Sequence, residues 1–141
     1  MRVTGIHHVA FAHDGGAATL PALTRLLGLE VAHVEEGDGF TERMLPAGEC
    51  YLQLLEAGGP GVVRRFLDRR GPGLHHIAFT VPDLDGALAE LRAEGVRLVD
   101  ETARPGGMGT RIAFIHPSAF GGLLVELVEE EPRAGGPGNG I

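Results

Sequence analysis

Gly5-Ile6-His7-His8-Val9-Ala10-Phe11-Ala12 returns later in the chain as Gly73-Leu74-His75-His76-Ile77-Ala78-Phe79-Thr80. Five of the eight positions are identical and the other three exchange similar residues, at an offset of 68 residues in a chain of 141. A second echo links Leu52-Gln53-Leu54-Leu55-Glu56 with Val125-Glu126-Leu127-Val128-Glu129. Internal repetition constrains architecture before any local detail does. Two copies are too few for a solenoid, so the repeat points to a pseudo-twofold pair of similar modules.

Working outward, each copy reads as strand, helix and three further strands. In the second copy Asp83 is placed to cap a helix, Leu84, Leu88 and Leu91 give an i, i+4, i+7 apolar stripe, and Gly95 ends it. Strand-like runs follow at 96–99, 110–115 and 122–128. The first-copy helix, about 17–27, has Gly15 and Gly16 before it and Pro21 inside its pattern, so an irregular first turn is expected. Its strand-like runs are 29–35, 39–45 and 50–56, divided by the turns Glu36-Gly37-Asp38-Gly39 and Pro46-Ala47-Gly48. The reading is α+β: one domain over 1–128, made of a module at about 5–57, a link at 58–72 that carries a helix-like piece at 62–70, and a module at about 73–128. Pro105-Gly106-Gly107-Met108-Gly109 reads as a flexible segment able to close over a ligand. The tail 129–141, acidic and then rich in Gly and Pro, reads as disordered.

The bulk properties exclude several function classes. The chain is 43% hydrophobic and 22% charged, which suits a globular protein. No apolar run reaches the roughly 20 residues of a membrane helix, and Met1–Thr4 leads into a strand without the pattern of a signal peptide. Cys50 is the single cysteine, so no intramolecular disulfide forms and a reducing, cytoplasmic location is expected. A net charge of −7 argues against nucleic acid as a partner. Every basic side chain is arginine, and Arg64, Arg65, Arg69 and Arg70 lie within seven positions. That run is either a solvated helix face or a patch for an anionic ligand.

Four residues stand out as chemistry-bearing. Side chains alternate along a strand, so His8, Ala10 and Ala12 share one face, and His76, Ala78 and Thr80 share another. These faces leave room for a ligand, whereas the bulky set Val9, Phe11, Ile77 and Phe79 should pack beneath helices. His8 and His76 are therefore the better site candidates of the two doublets. Gln53 and Glu126 are polar residues inside apolar strands, and a buried carboxylate needs a counter-charge or a metal. Two imidazoles, a carboxylate and an amide oxygen suit a divalent transition ion and leave positions for a chelating substrate. Taken singly, each residue is more simply a hydrogen-bonded core side chain or a solvated one. The pairing of His with Gln and of His with Glu, one pair per copy, overturns that simpler reading.

With those residues in place, the chain resembles the vicinal oxygen chelate superfamily (glyoxalase, bleomycin resistance protein and dioxygenase), and within it the methylmalonyl-CoA epimerases, from about Ile6 to Val128. The most specific stretches are Tyr51–Glu56, Phe66–Phe79, Gly107–Pro117 and Gly122–Leu127. The resemblance implies two βαβββ modules around a metal cleft, with His8, Gln53, His76 and Glu126 as ligands of one divalent ion. Cobalt(II) is the first choice; manganese, nickel and zinc are the alternatives. It further implies an isomerase that inverts C2 of methylmalonyl-CoA, or of a related 2-alkylmalonyl-CoA, through a metal-stabilised enolate. Glu42 is the implied base and Glu126 its partner, and the protein is expected to be a homodimer. The family's usual Asp before the first ligand is His7 here, its usual aromatic pair in the first helix falls on Ala22 and Leu23, and Pro21 is a further departure. On the same scaffold a glyoxalase-type enzyme and a metal-free resistance protein are the rival readings.

Overall fold

The computed structural model describes residues 1–15 and 18–131. In chain order it contains β1 (Gly5–His13), α1 (Thr19–Leu27), β2 (His33–Glu36), β3 (Phe40–Ala47), β4 (Cys50–Ala57), α2 (Val62–Arg70), β5 (Gly73–Val81), α3 (Leu84–Ala93), β6 (Arg104–Pro105), β7 (Arg111–Ile115) and β8 (Val125–Glu129). Short 3-10 turns occupy Gly107–Gly109 and Pro117–Phe120. The order is βαβββ twice, joined by α2, and the class is α+β. Two compact units divide the chain: His7–Ile77, and Met1–Ile6 with the chain from Ala78 onward. Among the described residues no helix is long and apolar enough to cross a membrane.

In the first unit the strand order is β2-β3-β4-β1, with the start of β5 next to β1. β1 runs parallel to β4 with Ala10 opposite Gln53, and β4 runs antiparallel to β3 with Leu55 opposite Glu42. Partners in register share a face, so His8, Ala10, Ala12, Glu42, Met44, Gln53 and Leu55 all point to one side, and all are buried. Val63 and Leu67 of α2 pack there on Ala10, Ala12 and Leu55. This corrects the expected arrangement: the small-residue face is covered at its far end by the linking helix, and Val9 and Phe11 on the other face are half-buried. α1 begins two residues later than expected, which places Pro21 in its first turn, where a missing N–H costs nothing. None of its residues is buried, and Leu26 is 77% exposed.

The second unit shows a different balance. Asp83 accepts a hydrogen bond from Gly86 N at 3.0 Å, the cap foreseen in the sequence. Leu84 and Leu88 are buried with Val81, Leu98, Ala113, Ile115, Val125 and Leu127, and Phe79 and Leu91 pack against that core. Here the bulky face of β5 does lie against a helix. Glu129 accepts from Leu84 N at 2.9 Å and from Arg111 Nη1 at 2.8 Å. The backbone bond first, and Arg111 second, hold its carboxyl below the usual range.

Three further segments bear on the sequence expectations. The run 96–99 is not a strand; Leu98 makes a single bridge with Ile115, Val99 and Asp100 donate to Phe114 O, and the short strand is β6. Segment 105–109 forms a hydrogen-bonded turn in which Met108 has φ 58°. Of the expected tail, Glu129 is the last residue of β8 and Glu130 N donates to Val81 O, while residues 132–141 lie outside the described residues.

Asp83→Ala is expected to lower stability by about 1 kcal/mol in urea denaturation, with Asp83→Asn near neutral. A loss in the Asn variant equal to that in the Ala variant would show that the side-chain oxygen is not the stabilising group.

Candidate functional site

β1 and β5 are neighbours, and each brings in a histidine doublet. His8 and His76 are both 3% exposed, and their Nε2 atoms lie 3.0 Å apart. Inside each doublet a second short contact joins the rings. His7 Nδ1 is 2.7 Å from His8 Nδ1, and His75 Nδ1 is 2.7 Å from His76 Nδ1. The sequence placed His7 and His75 on the opposite face, away from the site; the structure ties each to its neighbour's ring.

The β3–β4 hairpin supplies the next two groups. Ala47 opposes Cys50 across a two-residue turn at Gly48 and Glu49, and that register makes Glu42 and Gln53 diagonal neighbours on the His8 face. Gln53 Nε2 donates to Glu42 Oε1 at 2.9 Å. Gln53 Oε1 is buried with no hydrogen-bond partner among the described residues. A buried amide oxygen left without a donor is costly unless a cation or other group meets it. Glu42 is 9% exposed, so the reading of it as an ordinary solvated strand carboxylate does not hold.

These observations fit a divalent ion. Two imidazoles bound at right angles to one ion, each at about 2.1 Å, would hold their nitrogens about 3.0 Å apart. The observed His8–His76 separation is 3.0 Å. The orphaned Gln53 oxygen is a hard ligand of the kind divalent ions accept. In the second unit Glu126 is buried on β8 opposite Phe114, on the face that carries Ile112 and Val128. The core there includes Ala78, two residues along β5 from His76 and on the same face of that strand. His8 and His76 are thus buried in the first unit and Glu126 in the second.

Other sequence candidates stay outside this group. Arg64 pairs with Asp68 on the surface of α2, Arg70 stacks on Phe66, and Arg65 and Arg69 are exposed. Arg111 is engaged by Asp85 and Glu129. Cys50 is a half-buried thiol at the start of β4. His33 and Glu35 of β2 were not foreseen near the site. His33 Nε2 lies 2.9 Å from Glu35 Oε1, and Glu35 is directly opposite Glu42. Their spacing of two residues along a strand is too common a pattern to have singled them out.

The chain belongs to the glyoxalase/bleomycin resistance protein/dioxygenase superfamily, whose family model matches residues 7–114. Its relatives include methylmalonyl-CoA epimerases. The structure of that enzyme from Mycobacterium tuberculosis is 41% identical, with a TM-score of 0.84 over 92% of this chain and 90% of that one. A methylmalonyl-CoA epimerase solved in complex with methylmalonyl-CoA and NH4+ is 38% identical, with a TM-score of 0.85 over 92% of this chain and 96% of that one. The uncharacterized protein YqjC of Bacillus subtilis is 40% identical over 74% of this chain and 76% of its own length.

Titration with cobalt(II), manganese(II), nickel(II) and zinc(II) in turn is expected to show one equivalent bound by at least one of the four. His8→Ala and His76→Ala are expected to abolish it. Stoichiometric binding retained by both variants would remove the two histidines from the ligand set.

Proposed function

We propose that the chain is a metal-dependent epimerase that inverts C2 of methylmalonyl-CoA or a closely related 2-alkylmalonyl-CoA. One divalent ion would be held by His8, Gln53, His76 and Glu126, with cobalt(II) the first choice. The observation that carries the reading is Gln53. Its Oε1 has no hydrogen-bond partner among the described residues, while its Nε2 holds Glu42 at 2.9 Å. One amide therefore offers an oxygen to a cation and fixes a carboxylate beside it. The similarity to epimerases, one of them solved with methylmalonyl-CoA, supports the choice of substrate.

The hydrogen at C2 of a malonyl thioester is weakly acidic, and the bound ion would supply Lewis-acid stabilisation of the negative charge left when it departs. Glu42 supplies the base. Its carboxylate takes the C2 proton, the C–H electron pair stays with the substrate as an enolate, and Glu42 becomes a carboxylic acid. Glu126, the counterpart of Gln53 in the second copy, is assigned the other side of C2: in its carboxylic acid form it gives its proton to C2 and is left a carboxylate, and proton exchange with solvent resets both glutamates. The Gln53 amide cannot titrate, so its bond to Glu42 restrains the base without competing for the proton. A neutral residue at position 53 also leaves one carboxylate among the four ligands. The ion then keeps positive charge for an anionic substrate carboxylate.

Glu42→Gln is expected to lose C2 exchange of methylmalonyl-CoA in deuterated water by on the order of 10²-fold or more, a usual size for acid–base catalysis, while keeping its metal. Near-normal exchange would remove Glu42 from the reaction. The unmodified protein should exchange methylmalonyl-CoA and leave the glutathione adduct of methylglyoxal unchanged. Turnover of the adduct alone would replace the epimerase reading with the glyoxalase one.

A further inference from the structure

His7 and His75 have no part in the chemistry above, yet each touches a proposed ligand. The contacts His7 Nδ1–His8 Nδ1 and His75 Nδ1–His76 Nδ1 are both 2.7 Å. Two ring nitrogens approach that closely when one carries a proton and the other a lone pair. A histidine that binds a cation through Nε2 has no proton there, so the proton of the neutral ring sits on Nδ1. In both doublets that proton falls in the 2.7 Å contact, and the neighbouring Nδ1 must accept it.

We infer that His7 and His75 are positioning residues for the metal. Each accepts the Nδ1–H of its neighbour through its own Nδ1, is thereby held as the Nε2–H tautomer, and keeps the neighbour's Nε2 turned toward the ion. The inference rests on the metal site proposed above. Both acceptor rings are braced. His7 lies 5.6 Å from the Tyr51 ring, and His75 packs edge-on against Phe66 at 4.9 Å, with Arg70 over the far ring.

The proton count is consistent. Without an ion, the 3.0 Å contact between His8 Nε2 and His76 Nε2 also needs one proton. Along the row of four neutral rings three donations then run in one direction, from His75 through His76 and His8 to His7 or the reverse. When an ion binds, that central proton moves to Nδ1 of the same ring. The outer histidine of that doublet moves its own proton from Nδ1 to Nε2. Two rings change tautomer, every ring stays neutral, and both donations now run outward. A neutral acceptor serves this role without adding further negative charge near the ion.

Two measurements on the full chain test this. In the zinc-loaded protein, long-range proton–nitrogen-15 spectra should show His8 and His76 protonated at Nδ1, and His7 and His75 protonated at Nε2 with bare Nδ1. A protonated Nδ1 on His7 or His75 overturns the inference without any variant. Second, zinc affinity is measured by chelator competition. His7→Phe and His75→Phe keep a ring and lose the acceptor, and should bind about 10–100-fold more weakly, the usual cost of removing a group that orients a metal ligand. His7→Asn and His75→Asn place an amide oxygen near the lost Nδ1 and should restore affinity. Unchanged affinity in the Phe variants, or equal loss in the Phe and Asn variants, overturns the inference while leaving the metal site standing. No binding of zinc, cobalt(II), manganese(II) or nickel(II) by the unmodified chain overturns both.

Discussion

Two buried imidazole nitrogens, His8 Nε2 and His76 Nε2, stand 3.0 Å apart, and much of the first unit is arranged around that contact. Both side chains need partners that water does not supply at that depth. Placing β1 beside β5 brings the two doublets together, and small residues at Ala10 and Ala12 let α2 close the far end of the same face. The parallel pairing of β1 with β4 then sets Gln53 on that face through its register with Ala10. The β3–β4 hairpin adds Glu42 one diagonal step away.

The most secure parts of the sequence reading were those set by short-range chemistry. The Asp83 cap, the Leu84–Leu88–Leu91 stripe and the linking helix at 62–70 all depend on neighbours within a turn or two. The repeat of the histidine doublets exposed the duplicated architecture because two copies of one supersecondary unit leave the same pattern twice. Strand alternation correctly put His8 on a face with Ala10 and Ala12, but alternation alone cannot say which face a helix covers. That depends on α2, a link segment outside both repeated units. Likewise Val96, Leu98 and Val99 have an apolar strand-like pattern, yet it reflects packing of Val96 and Leu98 on the second core and not ladder pairing. The Gln53–Glu42 bond was legible in principle. It follows from the hairpin register once the turn is placed at Gly48 and Glu49, and the sequence reading had placed that turn one residue or more too early. The 2.7 Å contacts within the doublets were not legible, because alternation predicts that adjacent strand side chains diverge.

The scaffold supports several chemistries, so the fold cannot select among them. What narrows the choice is the character of the polar groups. In the first unit's share of the site Glu42 is held by the Gln53 amide, which cannot exchange a proton with it. Such an arrangement suits a reaction whose charge appears on the substrate and must be stabilised there. The surface arginines serve other ends: Arg64 pairs with Asp68, and Arg111 ties β7 to Glu129 and Asp85.

The central claim is that both repeated histidines serve one ion at cis positions. X-ray absorption at the metal edge of the cobalt-loaded protein tests it most directly. The account predicts a six-coordinate shell of nitrogen and oxygen near 2.1 Å with the multiple scattering of two imidazoles. A shell with one imidazole or none, or one containing sulfur from Cys50, would contradict it.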